Sequence, residues 1–161
     1  MFLGLMTHEQ YMKLAIEKTK EGIFTGQSPF GAIIVKNGKV VASAHNRVWK
    51  TCDPTAHAEV NAIREAAKEL NTIDLSGTVM YTTCEPCPMC LSAIHWAKIE
   101  KVYFGATIAD AADAGFKELE FPAKELARQG KSPLKVEDGV CREECAALFS
   151  LWKSAGLSQS Y

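Results

Sequence analysis

The sequence predicts an α/β fold in three layers, with helices on both faces of a mixed sheet. Two β-rich runs joined by Asn37-Gly38 form a hairpin signal. An amphipathic helix follows it, and strand and helix patterns then alternate from Thr78 to Phe104. The order hairpin, helix, strand, helix, strand is typical of layered α/β domains. We expect one domain over residues 1–161, with 154–161 as a C-terminal tail.

Bulk properties narrow the class of protein. Hydrophobic residues make up 47% and charged residues 23%, and the net charge is −1. This balance gives no support to nucleic acid or an anionic membrane as a partner. Six cysteines suggest a metal site or buried thiols before disulfides. Residues 1–6 lack the features of a signal peptide, and no apolar run could span a membrane, so we expect a cytoplasmic protein.

The first third of the chain predicts a helix and the hairpin. Thr7 opens a capping-box pattern, and a helix follows that stops near Gly22. Phe30 begins the first hairpin strand and is interpreted as a core residue, with the wall of a ligand pocket as the alternative. Asn46, after the hairpin, could cap a turn or bind a polar ligand through its amide.

A second helix carries the first group of reactive side chains. Asp53 is a good N-cap and Pro54 a good first helical residue, which places His57 in the first turn. Glu59 is two residues further on and would not share a helix face with His57. The two side chains can serve one site only if the N-terminus of this helix points at that site.

A third helix carries the second group. A buried strand over 78–82 precedes Cys87, which is predicted as an N-cap with Pro88 at the first helical position. Cys90 lies three residues on, on the same face. A helix N-terminus favours thiolate at both positions. The remaining predicted elements are a strand at 102–104, a helical turn and loop over 109–118, a short helix over 124–130, an edge strand at 134–136 and a last helix that buries Cys141 and Cys145.

The two groups together predict an open zinc site. Imidazole and thiolate are ligand types that Zn²⁺ prefers, so His57, Cys87 and Cys90 would leave a fourth position for water. Glu59 would remain free to move protons. One alternative is a closed structural zinc site that adds Cys84 as the fourth ligand. Another is a thiol–disulfide module at the Cys-x-x-Cys pair, which would have no need of His57 or Glu59.

The pattern His-x-Glu followed by Pro-Cys-x-x-Cys is that of the zinc deaminases. Over nearly its whole length the chain resembles the cytidine-deaminase-like zinc hydrolases, and within them the bacterial guanine deaminases. The segments 28–31, 94–97 and 110–116 and the terminal Tyr161 carry the second resemblance. His95 and Glu118 depart from it, since those enzymes have Tyr and Asp there, and 143–148 looks more like the tRNA adenosine deaminases.

The resemblance implies a five-stranded mixed sheet, one zinc ion, a homodimer, and hydrolysis of guanine to xanthine and ammonia with Glu59 as the proton shuttle. Guanosine, another aminated heterocycle or a tRNA adenosine remain alternative substrates. The resemblance also implies that Glu118 is a second acid and that the tail closes an active site, of its own subunit or of a partner. The predicted substrate contacts are Phe30, Asn46, Ala58, Trp96, Asp113 and Tyr161.

Overall fold

The computed structural model of the chain describes residues 6–157 and 159–161. The prediction that the chain opens without a signal peptide falls mainly on residues 1–5, which lie outside this range. In the described part the elements are α1 His8–Phe24, β1 Gly31–Lys36, β2 Lys39–His45, α2 Val48–Thr51, α3 Ala58–Glu69, β3 Thr78–Cys84, α4 Pro88–Trp96, β4 Lys101–Ala106, α5 Ile108–Asp113, α6 Ala123–Gln129, β5 Lys135–Glu137 and α7 Arg142–Ser154.

The five strands form one mixed sheet in the order β2-β1-β3-β4-β5. β1 is antiparallel to both β2 and β3, whereas β3, β4 and β5 run parallel to one another. The Asn37-Gly38 turn joins β1 to β2 with positive φ at both residues, 49° and 76°, as a two-residue hairpin requires. The predicted hairpin and mixed sheet are confirmed.

Helices cover both faces of the sheet. α1 and α7 contact each other and the central strands, while α3 packs on β1, β2 and α4, and α6 packs on α4 and β5. On the face of the sheet that α1 and α7 cover, two glycines let these helices approach the strands closely. A Cβ at Gly31 would overlap Thr19 of α1, and a Cβ at Gly105 would overlap Cys145 of α7. The predicted three-layer α/β/α arrangement is confirmed.

The predicted start of the second helix is wrong. α3 begins at Ala58 with His57 as its N-cap residue, not at Pro54 with Asp53 as the cap. The carboxylate of Asp53 instead accepts hydrogen bonds from the backbone N–H and the hydroxyl of Thr55, at 2.8 and 2.6 Å. A short polar side chain that binds its own neighbouring backbone competes with helix formation, so these residues form a turn.

The C-terminal elements follow the sequence pattern with small differences. β5 occupies 135–137, one residue later than predicted. Cys145 is buried as predicted, but Cys141 is only partly buried, since it lies at the N-cap of α7 in a left-handed conformation. None of the helices in the described ranges is both long and apolar enough to cross a membrane. The homodimer, the cytoplasmic location and the single domain over 1–161 stay predictions.

Candidate active site

The starts of α3 and α4 bring the two predicted groups of side chains together. His57 is the N-cap residue of α3 and Cys87 that of α4, each with the extended backbone typical of this position. Neither side chain caps its own helix, so both are available to a ligand. The two helices pack against each other, which turns a separation of thirty residues in sequence into a direct contact.

His57, Cys87 and Cys90 form a cluster that fits a zinc ion. The Nδ1 atom of His57 lies 3.7 Å from the sulfur of Cys87 and 3.5 Å from that of Cys90, and all three ligand atoms lie within 4.8 Å of one another. Tetrahedral zinc with the usual bond lengths to nitrogen and sulfur separates two such ligands by about 3.6 Å. The donor atoms are thus of the right type and at the right spacing.

The pKa values of the two thiols are shifted in opposite directions. A hydrogen bond from the Cys90 thiol is the main cause that lowers the pKa of Cys87, to about 4, and the hydrogen bond with His57 acts in the same direction. The same bond to Cys87, together with burial, raises the pKa of Cys90. The lowered pKa favours the thiolate form of Cys87, which is the form that binds a metal ion.

Glu59 lies beside the cluster and is 5% exposed. Its Oε2 atom is 3.5 Å from the sulfur of Cys90, from which it accepts a weak hydrogen bond. Burial raises the pKa of this carboxyl group, although the positive charge of His57 opposes the change. A buried carboxyl group with a raised pKa beside a candidate metal site is suited to general acid–base catalysis.

Thr82 is a further residue of the site that the sequence did not reveal. Its hydroxyl donates a hydrogen bond to Oε1 of Glu59 at 3.1 Å and is also 3.2 Å from the carbonyl oxygen of Cys84. It belongs to the predicted strand, where a buried threonine carries no signal distinct from an ordinary strand former. Only the sheet register shows that its hydroxyl faces Glu59.

Glu118 reaches the same cluster from the segment between α5 and α6. Burial raises its pKa to about 8, and the negative charges of Cys87 and Glu59 act in the same direction. Its Oε2 atom is buried and has no hydrogen-bond partner in the part of the chain that the structure describes. An unpaired buried carboxylate oxygen is costly, so this atom is well suited to contact a bound ligand.

Asn46 and Tyr161 contact each other beside the cluster. Asn46 is completely buried and donates a hydrogen bond from Nδ2 to the hydroxyl of Tyr161 at 2.6 Å. Its Oδ1 atom accepts from the backbone N–H of Val48 at 3.1 Å, so Asn46 also caps the turn before α2. The ring of Tyr161 lies 5.7 Å from that of His57. The terminal residue thus covers the cluster of its own chain.

Side chains near α1 and α2 hold the tail in this place. The indole N–H of Trp49 donates to the carbonyl oxygen of Gln159 at 2.9 Å, and the hydroxyl of Ser28 approaches the same oxygen at 3.4 Å. Neither contact could be predicted from the sequence, because a hydrogen bond to a backbone carbonyl more than a hundred residues away leaves no local pattern.

The predicted aromatic contacts separate into core and surface positions. Phe30 is 7% exposed and meets Phe116 edge-on at 4.9 Å between ring centroids, so its interpretation as a core residue is confirmed. Phe116, which the sequence marks only through the resemblance of segment 110–116, contacts Tyr161 on its other side, at 5.7 Å between ring centroids. Trp96 is 82% exposed at the far end of α4 from Cys87, about 13 Å along the helix.

Two other predicted contacts have different surroundings. Ala58 is fully buried at the first position of α3, directly between His57 and Glu59. Asp113 is exposed at the end of α5 and lines a surface cavity with Glu85. The structure therefore brings Ala58 to the cluster but not Asp113 or Trp96. Their roles as substrate contacts stay predictions.

The geometry disfavours both alternative sites. Cys84 is buried, but its thiol points to the carbonyl oxygen of Thr107 at 3.6 Å and is not part of the ligand cluster. A thiol–disulfide module would have no use for the His57 and Glu59 side chains that contact the Cys-x-x-Cys pair.

Residues 5–106 match the family described as the cytidine and deoxycytidylate deaminase zinc-binding region. The chain is 48% identical to the guanine deaminase of Bacillus subtilis over 127 residues, which are 74% of this chain and 81% of that protein. It is also 48% identical to the tRNA-specific adenosine deaminase of Aquifex aeolicus over 101 residues, which are 63% of this chain and 67% of the relative.

Solved structures are also similar to this chain. The guanine deaminase of Nitrosomonas europaea superposes with a TM-score of 0.86 at 27% identity, and the match covers 93% of this chain and 86% of that one. A variant protein crystallised in complex with 8-azaguanine superposes equally well, with a TM-score of 0.86, 27% identity and the same coverage.

Proposed function

The chain belongs to the cytidine and deoxycytidylate deaminase zinc-binding family and is a zinc-dependent deaminase, and from this premise we propose that its substrate is free guanine. The reaction would be hydrolysis at carbon 2 of the purine. Water supplies the oxygen of the product xanthine, the bond between carbon 2 and the exocyclic nitrogen breaks, and ammonia leaves.

Two findings from relatives support this substrate. The Bacillus subtilis relative, 81% of whose length the chain covers, is a guanine deaminase. The structural relative with a TM-score of 0.86 that contains 8-azaguanine binds a close analogue of guanine. The tRNA-specific adenosine deaminases are also close, so the choice between base and RNA depends on the site itself.

The observation that carries the choice of a free base is the position of the tail. Tyr161 lies over the cluster and holds the amide of Asn46, while Gln159 is bound by Trp49. An RNA substrate would have to displace this tail, and it would also have to place its own phosphate backbone next to the site. A free purine needs only the small movement that exposes Asn46. The net charge of −1 also offers little attraction for a phosphate backbone.

His57, Cys87 and Cys90 would hold zinc, which supplies a water molecule of lowered pKa, about 7 instead of 15.7. Glu59 would take a proton from the attacking water and deliver it to a ring nitrogen of the purine. Its burial suits this task, because burial raises the pKa of the carboxyl group and so makes the carboxylate a stronger proton acceptor.

Glu118 would act as the second acid. Its unpaired Oε2 atom could accept an N–H of the exocyclic amine, and a carboxyl group with a pKa of about 8 could give its own proton to the departing nitrogen. It would regain a proton from the hydroxyl group added at carbon 2 as the carbonyl of the product forms. Glu118 is one methylene longer than the Asp expected from the resemblance, and its shared position beside Cys87 and Glu59 supports the same role.

Asn46 would bind the polar edge of the base once Tyr161 releases it. The side-chain amide offers a donor at Nδ2 and an acceptor at Oδ1, which matches the mixed donors and acceptors of guanine. Val48 already occupies one lone pair of Oδ1, so the donor Nδ2 is the more available group. Tyr161 would then close behind the substrate.

A panel assay tests the substrate. The zinc-loaded protein is incubated with guanine, guanosine, adenine and a tRNA anticodon stem-loop, and ammonia, xanthine and inosine are measured. We expect ammonia and xanthine from guanine, with no inosine in the stem-loop. Glu59→Gln, assayed in parallel, controls for a contaminating deaminase. Release from guanosine or the stem-loop without release from guanine would refute the substrate but not the zinc chemistry.

A further inference from the structure

The side chain of Glu85 joins two parts of the chain that border the site. Its Oε2 atom accepts a hydrogen bond from the backbone N–H of Ile108 at 3.1 Å, and its Oε1 atom accepts one from the backbone N–H of Ala123 at 2.9 Å. Ile108 is the first residue of α5 and Ala123 the first residue of α6. One carboxylate therefore ties together the two ends of the segment 108–123.

The sheet fixes Glu85 itself. The residue directly follows β3, and its backbone N–H donates to the carbonyl oxygen of Ala106, the last residue of β4, at 2.8 Å. Its side chain is half-buried and lines a cavity of about 560 Å³ with residues of α5 and the start of α6. It also stands two positions before Cys87, so the loop that carries a zinc ligand carries this carboxylate too.

The segment held in this way contains Glu118. Residues 116–122 form neither helix nor strand, and Lys117, Leu119 and Glu120 are exposed. Phe116 is buried, but it precedes Glu118 and fixes only one side of it. Since Oε2 of Glu118 has no partner among the described residues, the carboxyl group depends on its backbone for its position. The contacts at 108 and 123 set the course of that backbone.

We propose that Glu85 is a positioning residue for deamination, which holds Glu118 at the zinc cluster by binding both ends of the segment 108–123. The proposal rests on the role of Glu118 in the proposed function. A carboxylate suits this task because its two oxygens can each accept a backbone N–H. A glutamine of the same size has one acceptor oxygen, and its amide group would face a second donor.

Glu85→Gln in the zinc-loaded protein tests the proposal, with Glu120→Gln as the control. Glu120 is an exposed acid of the same segment, so the control makes the same change in charge. Loss of a hydrogen bond to a charged group should speed hydrogen exchange in 114–123 about tenfold or more. We expect kcat for ammonia release to fall about tenfold with KM within about twofold, because Glu118 acts in the transition state.

Combination with Glu118→Gln separates positioning from a general structural effect. If Glu85 acts through Glu118, Glu85→Gln should lower the kcat of the Glu118→Gln protein by less than about twofold. A full additional loss would overturn the proposal. Turnover is measured on whichever amine of the panel is released, and hydrogen exchange needs no substrate. A wrong choice of guanine would therefore leave this test intact.

A second variant decides the matter if Glu85→Gln loses zinc or fails to fold. Ala123→Pro removes the N–H that Glu85 binds and leaves the loop of Cys87 unchanged, and proline is well tolerated at the first position of a helix. Ala123→Gly keeps the N–H and serves as its control. Faster exchange in 114–122 than in the glycine variant supports the proposal, and equal exchange in both overturns it.

Discussion

Replacement of Thr82 by valine tests the proposed role of Glu59 as the proton shuttle. Valine has nearly the shape of threonine, so the change removes one hydroxyl from the buried strand and leaves the packing in place. That hydroxyl donates to Oε1 of Glu59 at 3.1 Å. Without it, the ionised carboxylate loses a donor in a site where burial already raises its pKa. We expect a smaller fraction of Glu59 to accept the proton of water at neutral pH.

The size of the effect follows from the contact. A hydrogen bond to a charged group contributes about 1.5–3 kcal/mol. Thr82 has one hydroxyl hydrogen and two acceptors at similar distances, Glu59 at 3.1 Å and the carbonyl of Cys84 at 3.2 Å. The lower end of the range is therefore the better choice, and about 1.5 kcal/mol corresponds to about a tenfold loss of turnover.

The assay is ammonia release at saturating guanine and neutral pH, with zinc content measured for each protein. Thr83→Val is the matched control, since the neighbouring Thr83 is equally buried but binds the backbone N–H of Gly31 and the hydroxyl of Thr19, at 3.2 and 3.3 Å. The control should lose stability and keep its turnover. Equal turnover of Thr82→Val and the parent protein would refute the role of this hydroxyl.

Three further predictions concern the acids, the metal and the tail. Glu59→Gln should retain zinc and lose turnover by about 10²–10⁴, whereas Cys87→Ala should lose zinc, both measured by metal analysis and ammonia release. A pKa of about 8 for Glu118 in the folded chain, against 4.5 when unfolded, means that unfolding releases a proton between these values. The free energy of unfolding of the zinc-free protein, prepared with a chelator, should therefore fall as pH rises from about 4.5 to 8. Glu118→Gln should make this fall less steep in urea unfolding, and an unchanged slope would contradict the prediction. Deletion of Tyr161 removes its hydrogen bond to Asn46 and should lower turnover about three- to tenfold while the melting temperature stays within a degree or so, and a large fall in melting temperature would argue for a structural role instead.

The zinc cluster could be predicted from the sequence because its signals are local. Cys87 and Cys90 are three residues apart at a helix start marked by Pro88, and such spacing fixes their relative positions with little help from the rest of the fold. His57 and Glu59 lie two apart, and the N-cap position of His57 lets both face one site. The prediction held although the helix begins four residues later than Pro54, because the required feature was a helix N-terminus and not its exact residue.

The sequence also determined the layered α/β class. Hydrophobic period and the Asn37-Gly38 turn identify strands and helices one by one, and their order restricts the arrangement. It did not determine which side chains face the cluster from a distance. The resemblance favoured Glu118 over Asp113 as the second acid of this segment, but only the folded chain shows that Glu118 is half-buried and electrostatically coupled to Cys87, whereas Asp113 is exposed.

Tertiary structure alone decided the supporting contacts. Thr82 meets Glu59 across twenty-three residues, Glu85 meets Ala123 across thirty-eight, and Asn46 meets Tyr161 across one hundred and fifteen. None of these pairs has a period or spacing that a sequence can reveal, since each depends on how strands and helices pack. The zinc ligands lie in short sequence motifs that can be identified locally, whereas the orientation of the acids and the closure of the site depend on long-range packing.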